Sequence, residues 1–150
     1  PDNSALSNPA AVPGLHQLWS QNPPGAGAFR ASPIVYNGKL YIGNANGRFY
    51  ALDTSTGNVV WQYPPAASPA LLSAFVCNPS SEGIAASATI ATVNGTSAVI
   101  FGAPDQTIGA HLGSGRLFAL DAATGAELWK SDEVAGVTGT AWGSETELHE

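Results

Sequence analysis

Asp105 and His111 stand in one glycine-punctuated stretch, GAPDQTIGAHLGSGR, that covers residues 102–116. A carboxylate there can orient a cofactor or ligate a hard cation. An imidazole can serve as base or ligand near neutral pH. The competing reading for both is a solvated loop. Cys77, the single cysteine, lies between Val76 and Asn78. It excludes an internal disulfide but not a bridge to another chain, and the plain alternative is a buried, inert thiol. Glu145, Glu147, His149 and Glu150 gather at the C-terminal end. Their spacing matches no zinc pattern and reads as an acidic tail. Asn94-Gly95-Thr96 is a glycosylation sequon, although a hairpin turn accounts for it fully. No residue stands out as a general base, and no set of residues as a metal site.

The elements that must position these groups are repeated. Residues 51–61 read ALDTSTGNVVW and residues 119–129 read ALDAATGAELW, with a fainter copy ending at Trp19 in GLHQLW. Recurrence of this kind marks a repeat architecture, whose units bury their apolar faces against one another. Trp19, Trp61 and Trp129 could stack on a ring-shaped ligand, but their shared place in the repeat assigns them to packing between units. Asp53 and Asp121 could be catalytic carboxylates. Their matching turns assign them instead to bonding local backbone N–H groups.

Trp19 and Trp61 are 42 positions apart, and Trp61 and Trp129 are 68 apart. The first spacing suits one four-stranded propeller blade of ~40–45 residues. In the first unit, Ala31–Tyr36, Lys39–Gly43, Arg48–Leu52 and Asn58–Trp61 read as strands, with Asn37-Gly38 as a hairpin turn. In the second, Ala88–Val93, Ala98–Gly102, Arg116–Leu120 and Glu127–Trp129 follow the same order around Asn94-Gly95. Alignment of the units places 11 extra residues in the second-to-third strand loop, around Ala103–Ser114, and 15 between the blades, around Tyr63–Ser87. Strands of a meander alternate in direction, so both insertions open on one face of the disc. The opposite face keeps only tight turns. Long loops on a rigid scaffold tend to carry function, which places any site on the insertion face.

The pattern Ala-x-Asp-x-x-Thr-Gly-x-x-x-Trp resembles the repeat of the quinoprotein, or PQQ-type, β-propellers. Ala51, Asp53, Thr56, Gly57 and Trp61 match it, as do Ala119, Asp121, Thr124, Gly125 and Trp129. The resemblance covers roughly residues 12–130. It implies an all-β chain carrying two four-stranded antiparallel blades of a ring of about eight. Residues 12–20 would be the outer strand that closes the ring, 31–61 the first blade, 62–87 a long link, 88–130 the second blade and 131–150 the link onward. The remaining blades would lie on another chain. The resemblance also implies a role as the N-terminal part of a PQQ-dependent dehydrogenase, with PQQ and Ca²⁺ as cofactors and a small or polymeric alcohol as substrate. On this reading Asp105, His111 and Cys77 are the cofactor-binding candidates. Cys77 stands where some members carry two adjacent cysteines. With that pair absent, members similar to polyvinyl alcohol dehydrogenase are nearer than methanol dehydrogenase. The alternative is a non-catalytic scaffold propeller, similar to the outer-membrane assembly lipoprotein of the same repeat family.

Composition sets the remaining bounds. Charged residues make up 11% of the chain, with 17 Gly and 11 Pro, which suits many short strands and turns. A net charge of −6 argues against nucleic-acid binding. No apolar run reaches the ~18 residues of a membrane helix. The chain starts at Pro1 with no initiator Met, which predicts a processed protein. The family resemblance implies a periplasmic or secreted setting.

Overall fold

The computed structural model describes residues 16–23, 27–71, 83–104 and 115–132. Among them the fold is all-β, in two four-stranded antiparallel sheets. The first contains β1 (Ile34–Tyr36), β2 (Lys39–Gly43), β3 (Phe49–Asp53) and β4 (Val59–Tyr63). The second contains β5 (Thr89–Val93), β6 (Thr96–Pro104), β7 (Gly115–Asp121) and β8 (Glu127–Lys130). Spatial order follows chain order in both, so each is a simple meander.

Local chemistry sets the strand ends. Asn37 and Gly38 have φ of 48° and 73°, and Asn94 and Gly95 have 49° and 81°. Two successive positive φ values make the turn whose twist matches the flanking strands, and Asn-Gly tolerates them best. β1 begins at Ile34, not at Ala31 as the sequence predicts. Pro33 has no N–H to offer a ladder, so pairing starts after it.

β6 is longer than expected at both ends. Ala103 pairs with Arg116 and Pro104 with Gly115, so the first residues assigned to the loop belong to a two-stranded stem. At its other end Thr92 pairs with Ser97 and Val93 with Thr96, beyond the Ala91–Ala98 pair. The first sheet stops at the equivalent pair, Tyr36–Lys39.

Both sheets carry the same irregularity. Ala51 pairs with Trp61 but Leu52 pairs with Val59, which leaves Val60 as an extra residue. Ala119 pairs with Trp129 but Leu120 pairs with Glu127, which leaves Leu128 extra. Each bulge bends the outer strand and puts an apolar residue outside, Val60 at 47% and Leu128 at 38% exposure.

The core lies between the two sheets. Tyr41, Phe49, Ala51 and Trp61 come from alternate positions of the first sheet and meet Val99, Phe101, Phe118 and Leu120 of the second. Phe49 and Phe101 stack with ring centroids 4.0 Å apart and planes 1° from parallel. Phe118 extends the stack, 5.6 Å from Phe101. Matching positions on the second sheet's far side are less enclosed. Ile100, Leu117 and Trp129 are half-buried, while their counterparts Tyr41, Phe49 and Trp61 are buried.

The repeat motif locks the sheets together. Gly57 and Gly125 have φ of +74° and +75°. A side chain would be strained there, and the space above each glycine is filled by a tryptophan ring: Trp19 over Gly57 and Trp61 over Gly125. The indole N–H of Trp19 donates to the Thr54 carbonyl at 2.8 Å, and that of Trp61 to the Ala122 carbonyl at 3.3 Å. The Tyr41 hydroxyl donates to the same Ala122 carbonyl at 2.8 Å. Residues 16–20 form no ladder. Trp19 nevertheless takes toward the first sheet the place that Trp61 takes toward the second.

Candidate functional site

The insertion face is organised by the β2–β3 turn. The Arg48 guanidinium donates to the carbonyls of Pro64 at 2.8 Å, Pro65 at 2.9 Å and Ser68 at 2.6 Å. It thereby holds the chain as it leaves β4. The Leu71 amide then donates to the Gly47 carbonyl at 2.9 Å, and the Ile84 amide to the Asn44 carbonyl at 2.8 Å. The inter-blade link therefore departs from and returns to one turn, with both feet on residues 44–47. Gly47 permits this: a Cβ there would lie 2.2 Å from the Leu71 oxygen.

Asn44 is fully buried at this junction. Its side-chain oxygen accepts from the Arg48 amide at 2.9 Å, and its Nδ2 has no partner among the described residues. Such a donor costs ~1–3 kcal/mol when left unmet.

The second blade repeats the arginine device. Arg116 donates to the Ser131 carbonyl at 2.6 Å, as the chain leaves β8. The β6–β7 stem ends at the Pro104–Gly115 pair, at the place in its meander that the β2–β3 turn holds in the first. The link and the stem thus open on one face, as the strand count requires.

Asp53 and Asp121 build turns. The Asp53 carboxylate accepts from the Ser55 and Thr56 amides, both at 2.9 Å, and from their hydroxyls at 2.5 and 3.0 Å. The Ser55 hydroxyl, then the Thr56 amide, lower its pKa from 3.8 to about 2. Asp121 accepts from the Ala123 and Thr124 amides, both at 2.8 Å, and its pKa is lowered chiefly by the latter. Both carboxylates serve their own turns. Ala51 and Ala119 are fully buried beside Trp61 and Trp129 in the ladders.

Cys77, Asp105, His111 and the Glu145–Glu150 cluster lie outside the described residues. Arg48, Arg116 and Asn44 are not among the residues whose types suggest chemistry. The two arginines carry a signal, since Gly47-Arg48 and Gly115-Arg116 both open a third strand. Asn44 carries none.

In the described part of this face the two arginines serve the fold and not a polyanionic cofactor. Both guanidinium groups bond main-chain carbonyls. Among the described residues there is no cluster of three His, Cys, Asp or Glu side chains able to hold a metal ion.

Two blades with Trp-to-turn docking and four-stranded meanders define the β-propeller class. A family profile described as outer membrane protein assembly factor BamB matches residues 16–147, and the chain belongs to this PQQ-repeat propeller family. It is similar to the quinohemoprotein alcohol dehydrogenase of Comamonas testosteroni, 32% identical over 133 residues, which are 89% of this chain and 16% of that protein. It is 38% identical over 48 residues to the quinoprotein glucose dehydrogenase of Gluconobacter oxydans (strain 621H), covering 32% of this chain and 6% of the relative. The solved structure of the Comamonas testosteroni enzyme overlays with a TM-score of 0.53 at 22% identity, covering 77% of this chain and 16% of the other. The chain thus spans about a sixth or less of the length of these curated relatives. No helix among the described residues is long and apolar enough to cross a membrane.

Proposed function

We propose that these residues are the N-terminal part of a PQQ-dependent quinoprotein dehydrogenase that oxidises an alcohol, working in the periplasm or outside the cell. The observation that carries this reading is the 32% identity to a quinohemoprotein alcohol dehydrogenase across 89% of the chain. Two features support a site on the insertion face. The link is pinned at both feet to residues 44–47, and in the second blade the β6–β7 ladder runs on through the Ala103–Arg116 and Pro104–Gly115 pairs. In this proposal residues 12–20 close the ring, and the remaining blades, on another chain of the same protein, complete it. Asp105, His111 and Cys77 are the candidates to face PQQ and Ca²⁺. The quinone would supply the redox chemistry. A carboxylate elsewhere in the ring would take the substrate hydroxyl proton.

The test is dye-linked oxidation of an alcohol panel by the complete propeller, reconstituted with PQQ and Ca²⁺. PQQ-dependent turnover, with cofactor affinity weakened by Asp105→Asn or His111→Ala, is expected. No PQQ dependence with any alcohol removes the enzyme reading. Dependence that ignores both substitutions removes only the residue assignment. A scaffold propeller is the second reading, favoured by the description of the matching family. It would bind a protein partner and no quinone.

A further inference from the structure

The tight-turn face holds a cleft that the repeat alone would not make. It has a volume of about 350 Å³ and lies between the two blades, lined by Tyr36, Lys39, Thr96, Ser97 and Asp121, with Tyr41 and Ala122 deeper. Its origin is a difference between the units. The β5–β6 hairpin is two residue pairs longer than the β1–β2 hairpin, and those pairs bring Thr96 and Ser97 beside the first blade. The Ser97 hydroxyl meets the Tyr36 hydroxyl at 3.1 Å across the opening. Ala122 anchors the overhang through its amide, which donates to the Ser97 carbonyl at 2.9 Å.

The chemistry of the lining is mixed in a specific way. Lys39 offers an ammonium donor on the side of β2 that carries Tyr41, and the matching residue of the second blade is Ala98. Asp121 offers a carboxylate whose Oδ1 accepts from the Ala123 and Thr124 amides, and a carboxylate has lone pairs for more than two donors. In the Tyr36–Ser97 pair one hydroxyl donates to the other, so the second keeps its proton to give. The Tyr36 ring is 38% exposed and offers an apolar face beside its polar tip. The carboxylate disfavours an anion, and the ammonium disfavours a cation. A neutral ligand that donates and accepts at every edge fits both, and the volume falls at the small end of the ~300–1,000 Å³ typical of ligand sites.

We propose that this cleft binds a neutral sugar, independently of any site on the insertion face. Saturation-transfer difference NMR on the complete propeller tests it, with glucose, maltose and cellobiose as separate probes. At least one sugar should give a saturable signal that falls at least fivefold in Lys39→Met and in Ser97→Ala. A third variant lacks Thr92, Val93, Thr96 and Ser97, which trims the second hairpin to the length of the first and should abolish the signal. Unchanged near-ultraviolet circular dichroism shows that each variant keeps its tryptophan packing. Absence of signal with all three sugars overturns the proposal. So does a signal that survives these variants but is lost in Asp105→Asn, or binding of inorganic phosphate alone.

Discussion

The ring of Trp61 lies where a side chain on Gly125 would have to go: a Cβ there would stand 2.6 Å from the indole carbons. Trp19 stands over Gly57 in the same way, at 2.7 Å. One residue pair, used twice, sets how each blade seats on the next.

Gly125→Ala and Gly95→Ala separate backbone strain from packing. Both glycines have positive φ, but a Cβ on Gly95 would meet nothing within 4 Å. Gly95→Ala should cost only the left-handed penalty of ~1–2 kcal/mol. Gly125→Ala should cost ~1–3 kcal/mol more, because Trp61 must move. Urea unfolding of the complete propeller measures both, and equal losses would show that the tryptophan seat is soft.

The Phe49–Phe101 stack should couple the two sheets. Phe101→Ala is expected to cost ~3–5 kcal/mol. In a double-mutant cycle with Phe49→Ala the pair should show ~0.5–1.5 kcal/mol of coupling. Additive losses would mean that the rings merely fill space.

Arg48→Met should loosen the link while sparing the sheets. Each charge-assisted bond to a carbonyl contributes ~1.5–3 kcal/mol in favourable settings, and three converge here. Hydrogen exchange read by mass spectrometry should speed up for the Leu71 amide at least tenfold, with the β3 amides unchanged. Uniform acceleration would mean that Arg48 supports the whole blade.

Asp53 should give the turn an acid-sensitive component. Its folded pKa of about 2 lies below the ordinary 3.8, so its contribution is complete above the higher value and is lost as pH falls through the lower one. Between ~pH 5 and ~pH 2 the wild type should lose more stability than Asp53→Asn, which keeps an acceptor but does not titrate. Parallel acid profiles would contradict the assignment.

Much of the fold was legible in the sequence because its signals are local. Asn37-Gly38 and Asn94-Gly95 announce hairpins, and the Asp53 and Asp121 turns announce themselves through their own short-range hydrogen bonds. The extra residues Val60 and Leu128 were not legible, since a bulge depends on the partner strand. The longer β6 was hidden for the same reason: Ala103 and Pro104 look like loop until Arg116 and Gly115 pair with them. For the candidate site, residue counting gave the expectation of a face, but Asn44 and the arginine grips arise only from folding the link back onto the turn. Cys77, Asp105 and His111 rest on their place in the sequence and the family resemblance.

The position of bound PQQ tests the central claim most directly. A structure of the complete propeller soaked with PQQ and Ca²⁺ should show the quinone near the ring axis, on the face carrying residues 63–87 and 103–114, with Asp105 or His111 in contact. Quinone density on the tight-turn face beside Asn37 and Asn94, or no density at saturating PQQ, would contradict it.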